Sequence, residues 1–180
     1  MLLCLVVLLV AAVATAACGG GGDNASRPLP EAPAELTVTS SSFADGATIP
    51  KRFTCEGDDD SPELSWSGVP AGAKELAVVV DDPDAGHYVH WTVVGIAPDV
   101  TRIADDEEPE GATELPNSAG DDDWTGPCPP EGDGVHEYQF AVYALDAKLD
   151  LAGDASPDDV RAAIGDHALA RGVLTGRFGR

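Results

Sequence analysis

Leu76-Ala77-Val78-Val79-Val80-Asp81-Asp82-Pro83-Asp84-Ala85-Gly86 is an apolar run that breaks into acids, a proline and a glycine. A short, valine-rich run of this kind suits a strand, and the Asp, Pro and Gly that follow suit a turn. The same grammar repeats outward from it. Upstream, 36–43 is rich in Ser and Thr, and Leu64-Ser65-Trp66 lies between Pro62 and Gly68. Downstream, 88–96, 135–145 and 172–178 are further strand-like runs between turn signals. In 135–145 the residues alternate. His136, Tyr138, Phe140 and Val142 share one face, and Glu137, Gln139 and Ala141 the other. One helix is signposted late in the chain. Ser156 suits its N-cap, Pro157 its first turn, and Asp158 and Asp159 the positive end of the dipole. Val160, Ile164, His167 or Ala168, and Arg171 follow at helical spacing, and Gly172 is the expected stop. The expectation is a mainly β domain over 36–180 with a helix near its end.

The charge balance is strongly acidic. In 180 residues, 32 Asp and Glu face 10 Lys and Arg, a formal net charge of −22. Nucleic-acid binding needs a basic face, so that partner class is excluded, and so is loose adsorption to anionic lipid. A surface this acidic repels itself at low salt, and molar salt screens the repulsion. The composition therefore reads as an adaptation to high ionic strength, of the halophilic kind. Acidic surface loops are expected at 105–110 and 121–123. Trp66, Trp91 and Trp124 read as core, and His87 and His167 as surface or structural residues.

The first 17 residues carry no charge, and Leu2 to Val13 are almost continuously apolar. Ala14-Thr15-Ala16-Ala17 and then Cys18 follow. This reads as an export signal over 1–17, too short to span a membrane. The cysteine after small residues resembles a lipobox, with Cys18 as the lipid-bearing first mature residue. The alternative is a secreted protein cut near Ala17. Gly-rich and then Pro-rich sequence over 18–35 is expected to be a flexible tether, with a glycosylation sequon at Asn24-Ala25-Ser26. The expected location is the extracytoplasmic face of the cell membrane, held by the lipid.

Chemistry-bearing residues gather in three places: Asp81-Asp82-Pro83-Asp84, then His90-Trp91, then Gly126-Pro127-Cys128-Pro129-Pro130 with His136-Glu137-Tyr138. Prolines stiffen a loop and remove its donors. Two histidines, nearby carboxylates and a Tyr hydroxyl suit one small polar cavity. A His beside a carboxylate stays protonated to higher pH, and such a site takes a small anion such as a phosphate group. Rival chemistries fit poorly. Blue copper needs an axial Met, and the sole Met is Met1. His87-x-x-His90 has no Cys pair at zinc-finger spacing. A calcium loop begun at Asp82 would put Val93 where a Glu is required. No Gly-x-Ser-x-Gly elbow is present, and nothing supplies an activated nucleophile. Binding without cofactor or metal is the expectation, not catalysis.

Phe53-Thr54-Cys55-Glu56-Gly57, Ser61-Pro62-Glu63-Leu64-Ser65-Trp66, Asp82-Pro83-Asp84-Ala85, His90-Trp91, Gly126-Pro127-Cys128-Pro129-Pro130, His136-x-Tyr138 and Tyr143-Ala144-Leu145-Asp146 occur in that order. The ordered set, which covers nearly all of 36–180, resembles the phosphatidylethanolamine-binding protein family. It is most similar to the bacterial and archaeal branch, related to the Raf kinase inhibitor protein. The resemblance implies a large antiparallel sheet packed on a smaller one, with peripheral helices. It also implies an anion pocket lined by Asp82, Asp84, His90, Cys128, Pro129, Pro130, His136 and Tyr138. The chain departs from the family pattern at Gly86, where Pro is usual, at Glu137, where Arg is usual, and near Asp123-Trp124, where Gly-Tyr is often found. The implied ligand is a small phosphorylated molecule or a phospholipid headgroup. The alternative is a surface module that docks on or inhibits a protein partner.

Outside the signal and the anchor two cysteines remain, Cys55 and Cys128. An even pair in an exported domain suggests a disulfide. Closing a loop of about 70 residues is worth about 4 kcal/mol in the chain-entropy account, before strain. It would also pin the Pro-rich loop beside the expected cavity.

Overall fold

The computed structural model describes residues 27–180. The expected export signal, Cys18 and the Gly-rich half of the expected tether lie outside the described residues. Ten strands are described: β1 (Ala34–Glu35), β2 (Thr37–Thr39), β3 (Ala47–Thr48), β4 (Leu64–Ser67), β5 (Glu75–Asp82), β6 (Tyr88–Ile96), β7 (Arg102–Ile103), β8 (Thr113–Glu114), β9 (Val135–Leu145) and β10 (Ala168–Gly179). The large sheet runs in the order β1-β10-β9-β5-β6-β8, and β3 also pairs with β10. The small antiparallel sheet runs β2-β4-β7. The large sheet is mixed rather than wholly antiparallel, because the short strands β1 and β3 both join β10 in parallel.

The valine-rich strand sits at the centre and is buried along its whole length. Leu76, Val78 and Val80 turn towards the small sheet, where they meet Trp66, Leu64, Phe140 and Trp91. Ala77 and Val79 turn the other way, towards Val160 and Ile164 of the helix α1 (Pro157–His167) and towards Tyr143 and Leu145. A strand covered on both faces needs no polar alternation, which explains its unbroken apolar run. Strand β9 alternates as expected as far as Gln139. Beyond it Ala141 and Tyr143 are also buried, under α1.

The helix starts as expected, with a capping box between Ser156 and Asp159. It ends earlier than its sequence periodicity suggests. From Ala168 the chain is strand, with Ala170 and Arg171 opposite Ala144 and Tyr143. Tertiary pairing overrides helical spacing here. Gly172 is not a helix stop but a close-approach residue: a Cβ there would lie 2.6 Å from the Leu36 carbonyl oxygen. Among the described residues α1 is the single α-helix, joined by a one-turn 3-10 helix at Lys51–Phe53.

The second half of the expected tether packs on the body. Leu29 is 6% exposed and belongs to the core under α1. The Tyr143 hydroxyl donates to the Pro30 carbonyl at 2.9 Å. A buried hydroxyl needs a partner, and the Pro-rich segment supplies it. Cys55 and Cys128 form a disulfide that closes a separation of 73 residues. No helix among the described residues is long and apolar enough to cross a membrane.

Candidate functional site

Three elements deliver the polar groups to one place. The end of β5 supplies Asp82, whose side chain faces the same side as Val78 and Val80. Its Oδ1 accepts from Ala85 N–H at 3.0 Å and folds the turn that follows. Strand β6 supplies His90 through an irregularity. Val80 pairs with Trp91 and Asp81 with Val89, so His90 has no partner in that ladder. A bulge of this kind re-aims a side chain. His90 and Trp91 both reach the core side of the sheet, where the His90 ring meets Tyr138 edge-on at 5.2 Å. The start of β9 supplies His136 and Tyr138 on its inward face.

The fourth wall is the loop 124–131. Thr125 N–H donates to the His90 carbonyl at 3.0 Å, and His90 Nδ1–H donates to the Thr125 carbonyl at 2.6 Å. Gly126 N–H donates to Asp59 Oδ1 at 2.9 Å. Gly126 has no room for a side chain, since a Cβ would lie 2.9 Å from the Phe53 carbonyl oxygen. The disulfide then ties Cys128 to the 3-10 segment. Arg180 Nε donates to the Pro129 carbonyl at 2.7 Å and braces the loop from the other side.

The pocket, partly open to solvent, holds about 270 Å³, room for one headgroup-sized ligand. Seven of the eight residues expected there line it: Asp82, His90, Cys128, Pro129, Pro130, His136 and Tyr138. Asp84 is not on its wall. That carboxylate is exposed and accepts from Glu137 N–H at 2.8 Å, which fastens the turn to β9. Ala85, Tyr88, Thr125 and Gly126 line the cavity and were not expected from the sequence. Tyr88 carried a readable signal, because it lies two residues before His90 in one strand. Its ring sits 4.9 Å from the His90 ring. Thr125 and Gly126 had no signal beyond their place beside the Pro-rich loop.

The two histidines stand in opposite protonation regimes. Burial disfavours the His136 imidazolium, but its hydrogen bond to Asp82 Oδ2 at 2.8 Å and the charges of Asp82, Asp84 and Asp133 outweigh that, so its pKa is raised. Asp133 Oδ2 lies 3.6 Å from His136 Nε2 on the solvent side. For His90 burial dominates and lowers its pKa, with the Thr125 carbonyl opposing only in part. With Nδ1–H given to Thr125, neutral His90 keeps Nε2 as an acceptor. Burial, helped by Asp82 and Asp84, raises the Tyr138 phenol and keeps it protonated. Its buried hydroxyl meets no partner at full hydrogen-bond geometry among the described residues, although the Asp82 carboxylate is near enough to favour its protonated form. A buried hydroxyl without a partner is a group waiting for one. No cluster of His, Cys, Asp and Glu suited to a metal ion occurs among the described residues.

Residues 39–179 match the profile of a family described as phosphatidylethanolamine-binding protein. The chain belongs to that family. A Mycobacterium tuberculosis protein that carries a lipoprotein name, LppC, is 47% identical over 157 residues, covering 86% of this chain and 77% of its own. The crystal structure of Escherichia coli YbcL, described as a member of the mammalian phosphatidylethanolamine-binding protein family, superposes with a TM-score of 0.77. It is 35% identical and covers 82% of this chain and 99% of YbcL. A homologue of the family from Chlamydia trachomatis gives a TM-score of 0.75 at 34% identity, covering 81% of this chain and 98% of its own.

Two departures from the pattern of the phosphatidylethanolamine-binding proteins have local explanations. Gly86 has φ +69°, a conformation that proline cannot take. Glu137 faces Arg177 across the β9–β10 ladder, and the two side chains pair at 2.6 Å. The negative charge at the cavity edge is thereby largely offset.

Proposed function

We propose that this member of the family is a binding module for a small phosphate-bearing ligand, in the first place a phospholipid headgroup such as phosphoethanolamine. The carrying observation is the Asp82–His136 pair, which favours the cationic form of one imidazole inside a small cavity where burial favours the neutral form of the other, His90. A cationic N–H and an unpartnered phenol give charge-assisted and neutral hydrogen bonds to phosphate oxygens. Neutral His90 accepts from the protonated oxygen of a phosphomonoester monoanion such as phosphoethanolamine, a contact that a phosphodiester does not offer. The prolines, Ala85 and the Tyr88 ring give apolar walls around these few polar groups, as small-ligand sites require. Exposed Asp84 and Asp133 stand where an ammonium group would meet them. A zwitterion therefore suits the site better than a bare dianion.

The same reading places the module at the membrane from which such a headgroup would come. Cys18 follows small residues in a lipobox-like setting, and the similar mycobacterial protein carries a lipoprotein name. Its lipid would hold the domain on the extracytoplasmic face. The described cavity residues contribute binding groups, and the role proposed for them is capture and presentation.

The test is a titration of the imidazole NMR signals with phosphoethanolamine. The signals of His90 and His136 are expected to move together and saturably, and those of exposed His167 to stay put. In His136→Ala the His90 response is expected to vanish. If neither ring responds in the wild-type protein, the proposed role is wrong.

A further inference from the structure

In a chain with so few cations, what each one does is informative. Arg52, Arg102, Arg161, Arg171 and Arg177 all have a carboxylate within ion-pair distance. Arg180 does not. Its one side-chain contact among the described residues is the hydrogen bond from Nε to the Pro129 carbonyl, and Gly132 N–H donates to its backbone carbonyl at 3.4 Å. The guanidinium is therefore anchored at its neck, against a residue of the cavity wall, while both terminal nitrogens are free of protein partners. Arg27, Lys74 and Lys148 also lack a carboxylate partner among the described residues, but of these four cations Arg180 is the one hydrogen-bonded to a residue that lines the cavity.

Geometry and charge point the same way. Tyr138, deep in the cavity, feels the Arg180 charge, which opposes the effect of Asp82 and Asp84 on its phenol. Asp84 and Asp133 add negative charge beside His136. Arg177, the other cation near this edge, is spent on Glu137.

We propose that Arg180 is a ligand-binding residue of this cavity, one whose free guanidinium nitrogens take one anionic phosphate oxygen while His136 Nε2 takes another. A planar guanidinium with two free nitrogens matches two oxygens of one phosphate, a geometry that a Lys ammonium does not reproduce. Arg180 thus sets the preference for a phosphomonoester or phosphodiester over a neutral ligand of the same size. The inference rests on the phosphate-binding reading above. The shared chemistry is the phosphate group, whether free or on a lipid.

Dissociation constants for inorganic phosphate, for phosphoethanolamine and for vesicles rich in phosphatidylethanolamine are measured on the full chain, for the wild type, Arg180→Gln and Arg180→Lys. Arg180→Gln is expected to weaken phosphoethanolamine binding about tenfold, the scale of a lost charge-assisted hydrogen bond. The gap between wild type and Arg180→Gln is expected to narrow as NaCl is raised, and Arg180→Lys to fall between the two. A merely structural brace on Pro129 would give a loss that salt does not change, with Lys as weak as Gln. That pattern overturns the proposal, as does Arg180→Gln binding like the wild type. If the wild type binds none of the three probes, the phosphate-binding reading fails first and takes this one with it. Loss on soluble ligands as well as vesicles supports recognition of the phosphate itself. Loss confined to vesicles supports recognition of the headgroup in its bilayer. Thermal unfolding of each variant shows that the fold is intact.

Discussion

His136 and His90 lie in one cavity yet are driven apart as bases. Asp82, with Asp84 and Asp133, raises the His136 pKa, while burial lowers that of His90. The consequence for stability has opposite signs. His136, with its pKa raised, adds stability that is complete below its unfolded value of about 6.5 and is lost as pH rises through the folded value. His90, with its pKa lowered, costs stability as pH falls below about 6.5 towards its folded value. Asp82→Asn keeps an acceptor for Ala85 N–H but removes the charge. In that variant the His136 imidazole signal is expected to titrate at lower pH than in the wild type, and the wild-type advantage in unfolding free energy to be larger at acidic than at alkaline pH. An unmoved His136 titration would contradict the assigned pair. Most of this site was legible, because its residue types are rare in strands and sit at strand ends. Asp84 lies off the cavity wall for a physical reason: in an acidic turn one carboxylate faces the cavity and the next caps a neighbouring strand, and sequence does not say which. Tyr88 was missed although its two-residue spacing from His90 was readable; what the sequence did not show is the bulge that aims His90, which pairing between β5 and β6 sets.

Elements were legible where their signals are local. The capping box at Ser156 and Asp159 marks the start of α1, and the alternation of 135–140 marks β9. The signals fail where partners far along the chain decide. Arg171 and Gly172 continue a helical spacing, but β9 offers them a ladder. The Pro-rich stretch before β1 has a tether's composition, yet Leu29 finds a place beneath α1 beside Val160 and Ile164. The parallel pairing of Ala34 and Glu35 with Ala170 and Arg171 then fixes that segment to the sheet edge. This makes residues 28–35 part of the folded unit and sets the origin of any tether closer to Cys18. Leu29→Ala is expected to lower the unfolding free energy by about 2 kcal/mol or more, the usual cost of truncating a buried leucine. Chemical denaturation measures it. Stability unchanged within about 0.5 kcal/mol would return the segment to the tether, since that is the effect of a surface substitution.

Charge acts on the molecule as a whole. Salt works on it in two opposing ways. It weakens the surface ion pairs, such as Lys51–Glu56 and Arg52–Asp60, which stabilise. It also weakens repulsion among the acids, which destabilises the compact state. The counts decide which effect wins. If every Lys and Arg took one carboxylate, the formal excess of 22 negative charges would still stand unpaired. Exposed pairs are worth at most about 1 kcal/mol each, whereas the excess acts between all acids within a Debye length, about 30 Å at 0.01 M salt. Near 1 M that length is about 3 Å, and little repulsion survives. The buried contact between Arg161 and Asp81 lies out of reach of this screening, so it sets a floor that salt does not move. The melting temperature is therefore expected to climb steadily from low to molar NaCl and then level off. Scanning calorimetry across that series checks it. A melting temperature that stays flat or declines would mean that the ion pairs outweigh the excess charge, and that the acidic surface serves solubility instead of life in brine.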